Sequence, residues 1–90
     1  MKNNRQQNSD QLATAVRMIT KTYFGQGQAK LRAQLAGELK SLCAIESEFA
    51  SVAHSEALEA GDLELAAQED RACCYYAKRA YEYSLDAEVS

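Results

Sequence analysis

The chain has 90 residues, a formal net charge of −3 and no proline, and alanine supplies sixteen of its hydrophobic residues. This length suffices for one domain with a small core. Alanine, leucine, glutamate, glutamine, lysine and arginine dominate, which excludes a β-rich fold and predicts an all-α protein.

The sequence has no run of the roughly 20 apolar residues that a membrane-spanning helix requires. The first eight residues are polar, so we expect no secretory signal peptide and no membrane partner. A cytoplasmic protein with reduced cysteines is the expectation. We interpret residues 1–8 as a flexible polar tail and residues 9–90 as a single helical domain.

The first predicted helix runs from about residue 9 to residue 24, with Asn8 or Ser9 as its N-cap. Its apolar residues recur at helical spacing and form one stripe, made of Leu12, Ala15, Val16, Ile19 and Tyr23. The Gly-Gln-Gly segment at residues 25–27 then ends the helix.

A second, long helix is predicted over residues 28–60. One face carries apolar residues, several of which fit a heptad seam: Leu31, Leu35, Leu39, Leu42, Ile45, Phe49, Val52 and Ala53. Such a seam predicts a long partner helix packed along it.

The partner helix is predicted over residues 62–87, after Gly61 as C-terminal cap and Asp62 as N-cap. Small residues form a narrow line on it, namely Ala66, Cys73, Ala77, Ala80 and Ser84. We expect the large residues of the second helix to fill the gaps between them. The predicted fold is therefore a long antiparallel helical hairpin, completed by the shorter N-terminal helix into a three-helix bundle.

The third helix has an apolar sector of about 200°, wider than one neighbour requires. One side of this sector holds Leu65, Tyr76 and Tyr83, and the other side holds Leu63, Ala67, Cys74, Tyr81 and Leu85. The N-terminal helix can cover one side, and the simplest cover for the other is a second copy. We therefore expect a homodimer.

The residues that could bind metal or catalyse a reaction are few and poorly spaced. Cys43, His54, Cys73 and Cys74 show no C-x-x-C or H-x-x-x-H spacing, so we expect neither metal nor cofactor. Three glutamates near the seam, Glu38, Glu46 and Glu56, are interpreted as edge charges that reach water. With one histidine, no phosphate loop and no nucleophile beside a base, the sequence favours a protein that is not an enzyme.

Charge is distributed unevenly along the chain. Residues 1–40 carry seven basic and two acidic side chains, a net charge of +5, whereas residues 41–90 carry three basic and eleven acidic ones, a net charge of −8. No lysine or arginine occurs between residues 41 and 70. Because this stretch surrounds the predicted turn, we expect a strongly negative tip on the hairpin.

This tip supports two interpretations, a solvated face that maintains solubility or a surface that docks on a basic region of another protein. We favour a small inhibitor or regulator, of the kind that phages and plasmids carry. Its partner-binding residues would be Glu56, Glu59, Asp62 and Glu64 at the tip, with Tyr75 and Arg79 on the outer side of the third helix. The alternative is a nucleic-acid-binding regulator that uses the basic N-terminal third, which we consider unlikely because its charges are dispersed. A metal or redox sensor based on Cys73 and Cys74 ranks last.

Overall fold

The computed structural model describes residues 3–23, 25 and 27–88. Three helices occupy most of these residues: α1 (Asn4–Thr22), α2 (Ala29–Ala60) and α3 (Leu63–Glu88). The all-α prediction is therefore confirmed for the described part of the chain, and both long helices agree with the predicted bounds to within one residue. None of the described helices combines the length and the apolar character that crossing a membrane requires.

Helix α1 begins earlier than the sequence indicated. The Asn3 side chain caps it by accepting a hydrogen bond from the Gln6 amide at 2.8 Å. The prediction of a flexible tail is wrong for residues 4–8, which are helical and include the buried Asn8. Residues 1 and 2 lie outside the described residues.

The turn between α2 and α3 has the predicted chemistry. Gly61 adopts a left-handed conformation with φ of 76°, which glycine accepts without steric cost. The amides of Gly61 and Asp62 donate to the carbonyls of Leu58 and Ala57, which satisfies these two carbonyls at the end of α2. The Asp62 carboxylate accepts from the Leu65 amide at 3.1 Å and caps α3.

The buried seam of α2 differs from the predicted one. Its buried residues recur at heptad spacing but are mostly small, namely Ala36, Leu39, Cys43, Glu46, Ala50 and Ala57. Leu35 is also buried, as predicted, but the side chains of Ile45 and Val52 are 41% and 58% exposed. The predicted seam is therefore rotated by about one residue position, because α2 turns its alanine-rich side towards α3.

Small residues also line the matching side of α3. Ala66 is buried, and Cys73 and Ala80 are half-buried, as predicted, whereas Ala77 is exposed. The two helices approach closely enough for side chains of α2 to reach the backbone of α3. Ser47 Oγ donates to the Cys73 carbonyl at 3.0 Å, and His54 Nδ1 lies 2.8 Å from the Ala66 carbonyl oxygen.

The core forms where α1 packs on the hairpin. It contains residues from all three helices: Leu12, Ala15, Ile19, Leu35, Ala36, Leu39, Cys43 and Tyr83. Helix α1 runs antiparallel to α2, since Asn8 bonds to the Leu42 carbonyl while Arg32 bonds to the Thr22 carbonyl.

Near its N-terminus, α1 reaches α3 through an ion pair between Arg5 and Glu69, with 2.9 Å between Nη2 and Oε2. Because α1 begins only one residue before Arg5, the hairpin extends past the end of this helix. We call residues 50–68 the arm. It is two helices thick and projects by about 15 Å, estimated from the helical rise per residue. Its buried side chains are Ala50, Ala57 and Ala66.

Candidate interaction site

The four acidic residues predicted at the tip all lie on the arm and are all exposed. Glu56 and Glu59 belong to the last turns of α2, Asp62 caps α3, and Glu64 lies in the first turn of α3. A carboxylate near a helix N-terminus is favoured by the helix dipole, which stabilises Asp62 and Glu64 in their positions. The structure therefore brings these four carboxylates together at one end of the molecule.

The arm contains no lysine or arginine that could neutralise these carboxylates. Within the described residues, Glu56, Glu59 and Glu64 form no ion pair, and the ion pairs of α3 are Arg5–Glu69 and Arg79–Glu82. The Asp62 carboxylate accepts a hydrogen bond from the Leu65 backbone amide and has no basic side chain as a partner in the described part of the chain. The arm consequently presents an uncompensated negative field to the solvent.

A shallow hollow of about 240 Å³ lies beside the turn. Asp62, Glu64, Leu65 and Gln68 line it. Leu65 is 42% exposed, so an apolar surface lies next to two carboxylates. This combination suits a lysine or arginine side chain, whose aliphatic stem packs on apolar surface while its charged end meets the carboxylates.

Tyr75 and Arg79, the other two predicted site residues, lie elsewhere. Tyr75 is thirteen residues beyond Asp62 along α3, which corresponds to roughly 20 Å. Its side chain is 58% exposed, as predicted, and meets Tyr76 edge to face with 5.2 Å between ring centroids. The structure therefore does not place Tyr75 and Arg79 in one site with the tip acids.

Arg79 is largely engaged within the chain. Its Nη2 donates to the Tyr83 hydroxyl at 2.6 Å, and its guanidinium carbon lies 4.7 Å from the centroid of the Tyr83 ring. With Tyr75 it borders a narrow cleft of about 100 Å³ between α1 and α3, which Leu12, Val16, Cys43, Tyr76 and Tyr83 complete. Arg79 thus holds Tyr83 in place and is a poorer candidate for partner binding than the sequence suggested.

The tyrosines of α3 follow the prediction in part. Tyr83 is buried and Tyr76 is half-buried against the core, as expected of core flanks. Tyr81, which the sequence places on the other side of the apolar sector, is 65% exposed. Tyr81 is on the side of α3 that faces away from both α1 and α2.

The soft metal ligands are dispersed. Cys43 is buried, Cys73 is half-buried and Cys74 is exposed, and all three are free thiols. His54 Nδ1 carries a proton, since the Ala66 carbonyl can only accept. No three His, Cys, Asp or Glu side chains among the described residues are grouped so that they could hold a metal ion.

No protein-family model, curated protein or solved structure matches the chain. The candidate site is therefore defined by geometry alone, and the arm with its unpaired carboxylates is the feature that best fits an interaction surface.

The structure also contains a buried polar cluster that the sequence pattern did not predict. Glu46 was expected to reach water, but its side chain is only 3% exposed. Its Oε1 accepts hydrogen bonds from Asn8 Nδ2 at 3.0 Å and Ser9 Oγ at 2.7 Å. These partners are 37 and 38 residues away in sequence, so no local pattern could have revealed them. The cluster joins α1 to α2 and has a structural role.

Proposed function

We propose that this chain is a non-enzymatic binding protein, a small inhibitor or regulator that docks the acidic arm on a basic surface of a larger target protein. The observation that carries this proposal is the set of exposed carboxylates of Glu56, Glu59, Asp62 and Glu64 on a projecting arm without a neutralising cation. The hollow beside Leu65 adds a place for a basic side chain of the target.

The physical basis of docking is electrostatic steering. Like charges concentrated on a projecting element accelerate encounter with an oppositely charged surface and orient the two molecules. The arm is suited to entering a groove, because it is two helices thick and lies beyond the end of α1. Basic grooves of this kind occur in proteins that bind nucleic acid.

The alternative, direct nucleic-acid binding by the basic N-terminal third, has less support. Arg5 is paired with Glu69, and Arg32 bonds to the Thr22 carbonyl and stacks on the Tyr23 ring. The exposed basic residues Arg17, Lys21, Lys30 and Lys40 are dispersed over α1 and α2, so they can neutralise few phosphates of one nucleic acid. The acidic arm would also repel a nucleic acid.

We further propose that the binding unit is a cytoplasmic homodimer. Neither α1 nor α2 covers the outward side of α3, where Leu63, Tyr81 and Leu85 are 71%, 65% and 47% exposed. A core of this size commonly gains stability from a partner subunit. The free thiols are compatible with a reducing compartment.

Affinity capture with matched variants tests the docking proposal. One variant carries Glu56→Gln, Glu59→Gln and Glu64→Gln, and a control variant replaces the exposed Glu38, Glu48 and Glu88 outside the arm in the same way. The wild-type protein and the control should capture the same target from host extract, whereas the arm variant should not. Capture of that target by all three proteins would overturn docking through the arm.

A further inference from the structure

The outward side of α3 carries a continuous stripe of exposed residues. Its members recur at intervals of three and four residues and therefore share one face of the helix: Leu63, Ala67, Asp70, Cys74, Lys78, Tyr81 and Leu85. We call this set the outer stripe. All seven residues are exposed, so neither α1 nor α2 covers it.

The outer stripe is symmetric about Cys74. Leu63 and Leu85 each lie eleven residues from Cys74, and Asp70 and Lys78 each lie four residues from it. Ala67 and Tyr81 are also equidistant, at seven residues. Each residue on one side thus has a counterpart of matching or complementary character on the other side.

This symmetry is what an antiparallel contact between two identical helices requires. If a two-fold axis passes beside Cys74, Asp70 of each copy lies opposite Lys78 of the other, and opposite charges meet twice. Tyr81 lies opposite Ala67, a large residue against a small one, and the two leucines lie opposite each other. A parallel contact would instead place Asp70 against Asp70 and Lys78 against Lys78, which is unfavourable.

We propose that a second copy of this chain packs antiparallel on the outer stripe, with the two-fold axis at Cys74. The inference rests on the homodimer suggested above and specifies its interface, which is isologous because both copies use the same surface. Asp70 and Lys78 are available for this contact, since neither forms an ion pair with another described residue.

The proposed dimer determines where the two arms point. Because the two α3 helices run in opposite directions, the two arms lie at opposite ends of the dimer, each beside the C-terminal end of the other copy's α3. The two Leu63 residues are separated by roughly 33 Å along the helices, from 22 residues at the helical rise. One dimer would therefore present two acidic arms and could engage two target surfaces at once.

Charge reversal tests the pairing directly. Asp70→Lys and Lys78→Asp should each weaken dimerisation about tenfold or more, because each change places like charges in contact twice. The double variant, in which the two charges are exchanged, should regain dimerisation close to that of the wild type. Arg17→Asp on α1 is the control and should leave dimerisation unchanged. Sedimentation equilibrium in reducing buffer measures dimerisation of these four variants and the wild type, each as the full chain.

Cross-linking tests the position of the axis. Two Cys74 residues at a two-fold axis can approach within the roughly 7 Å between Cα atoms that a disulfide requires. Added copper phenanthroline, which removes one electron and one proton from each thiol, should therefore link the wild-type chain and the Cys73→Ala variant into covalent dimers. The Cys74→Ser variant should remain dimeric in sedimentation but should not be linked.

The outcomes separate this interface from the docking proposal. A wild-type chain that stays monomeric at tens of micromolar would overturn the dimer and its interface together. A dimer that both charge reversals leave intact, or that links only through Cys73, would overturn the interface alone. Neither result affects docking through the arm, which the capture experiment tests separately.

Discussion

Asn8 Nδ2 donates a hydrogen bond to Glu46 Oε1 at 3.0 Å in the interior between α1 and α2. The same nitrogen also donates to the Leu42 carbonyl at 3.0 Å, so the Asn8 amide satisfies two acceptors. With 7% and 3% of their surfaces exposed, Asn8 and Glu46 are both shielded from water. A buried carboxylate depends on such donors, because it cannot regain the hydrogen bonds that water supplied.

We therefore predict that Asn8→Ala lowers the free energy of unfolding by about 1–3 kcal/mol, the cost of leaving buried polar groups unsatisfied. Asn4→Ala, at an exposed position of the same helix, should change it by less than about 0.5 kcal/mol. Urea unfolding at one fixed protein concentration measures both. A double-mutant cycle with Glu46→Ala should give a coupling of about 1 kcal/mol, and additive effects would contradict the interaction.

Replacing each of two glycines of the hairpin by alanine should change the free energy of unfolding in opposite directions. Gly61 has a φ of 76°, a conformation that alanine adopts only with strain, so Gly61→Ala should cost about 1 kcal/mol. Gly37 lies inside α2 with open space where a Cβ would project, so Gly37→Ala should stabilise the protein by about 0.5–1 kcal/mol. Thermal and urea unfolding of the two variants measure the effects, and equal signs would contradict the structure.

Alkaline conditions should destabilise the protein through buried acidic groups. Burial raises the pKa of the Cys43 thiol above its ordinary value of 9.0, and Glu46 adds to the effect while Arg79 opposes it. Burial likewise raises the pKa of Tyr76 above 10.0. The folded state thus retains protons that the unfolded state loses, so the contribution of Cys43 to stability is complete below about pH 9 and declines as the pH rises through the folded pKa.

Urea unfolding in reducing buffer at a series of pH values checks this expectation. The wild-type protein should begin to lose stability near pH 9, where the unfolded Cys43 thiol ionises. In a Cys43→Ala variant the decline should begin nearer pH 10, where the tyrosines ionise. The comparison uses the slope of the free energy of unfolding against pH, since removing a buried side chain also lowers stability at every pH. Identical slopes would contradict the proposed role of Cys43.

The turn at Gly61 and Asp62 could be predicted from the sequence because its determinants are adjacent residues with strong conformational preferences. The seam of α2 could not, because alanine is common on exposed and buried faces alike. The pattern of large apolar residues therefore places Ile45 and Val52 on the seam, whereas both are exposed and Ala36, Ala50 and Ala57 are buried.

The candidate site could likewise be predicted only in part from the sequence. Exposure of the tip acids follows from the local pattern of charge, so it could be predicted. Their position on a projecting arm depends on where the N-terminus of α1 lies against the hairpin. This is determined by long-range contacts, such as Arg5 with Glu69 and Asn8 with Glu46, which no local pattern encodes.

Backbone amides of the arm should be less protected from hydrogen exchange than those of the rest of the hairpin. The buried side chains of the arm are alanines, and the arm lies beyond the N-terminus of α1. Amides of residues 52–60 should exchange with solvent deuterium faster than those of residues 35–43, which all three helices enclose. His54→Ala removes the side-chain bond to Ala66 and should accelerate exchange in the arm alone. Uniform exchange along α2 would contradict a locally weak arm.

The acidic side chains of the arm should increase the rate of association with the target. The variant with Glu56→Gln, Glu59→Gln and Glu64→Gln retains helix propensity, and Asp62 is left unchanged because its loss would remove an N-cap worth about 1 kcal/mol. The thermal midpoint should change little, because exposed charges contribute little to stability. Stopped-flow mixing with the purified target should show slower association and a weaker dependence of the rate on salt. If the variant associates at the wild-type rate at low ionic strength, the arm is a solvated surface without a role in docking.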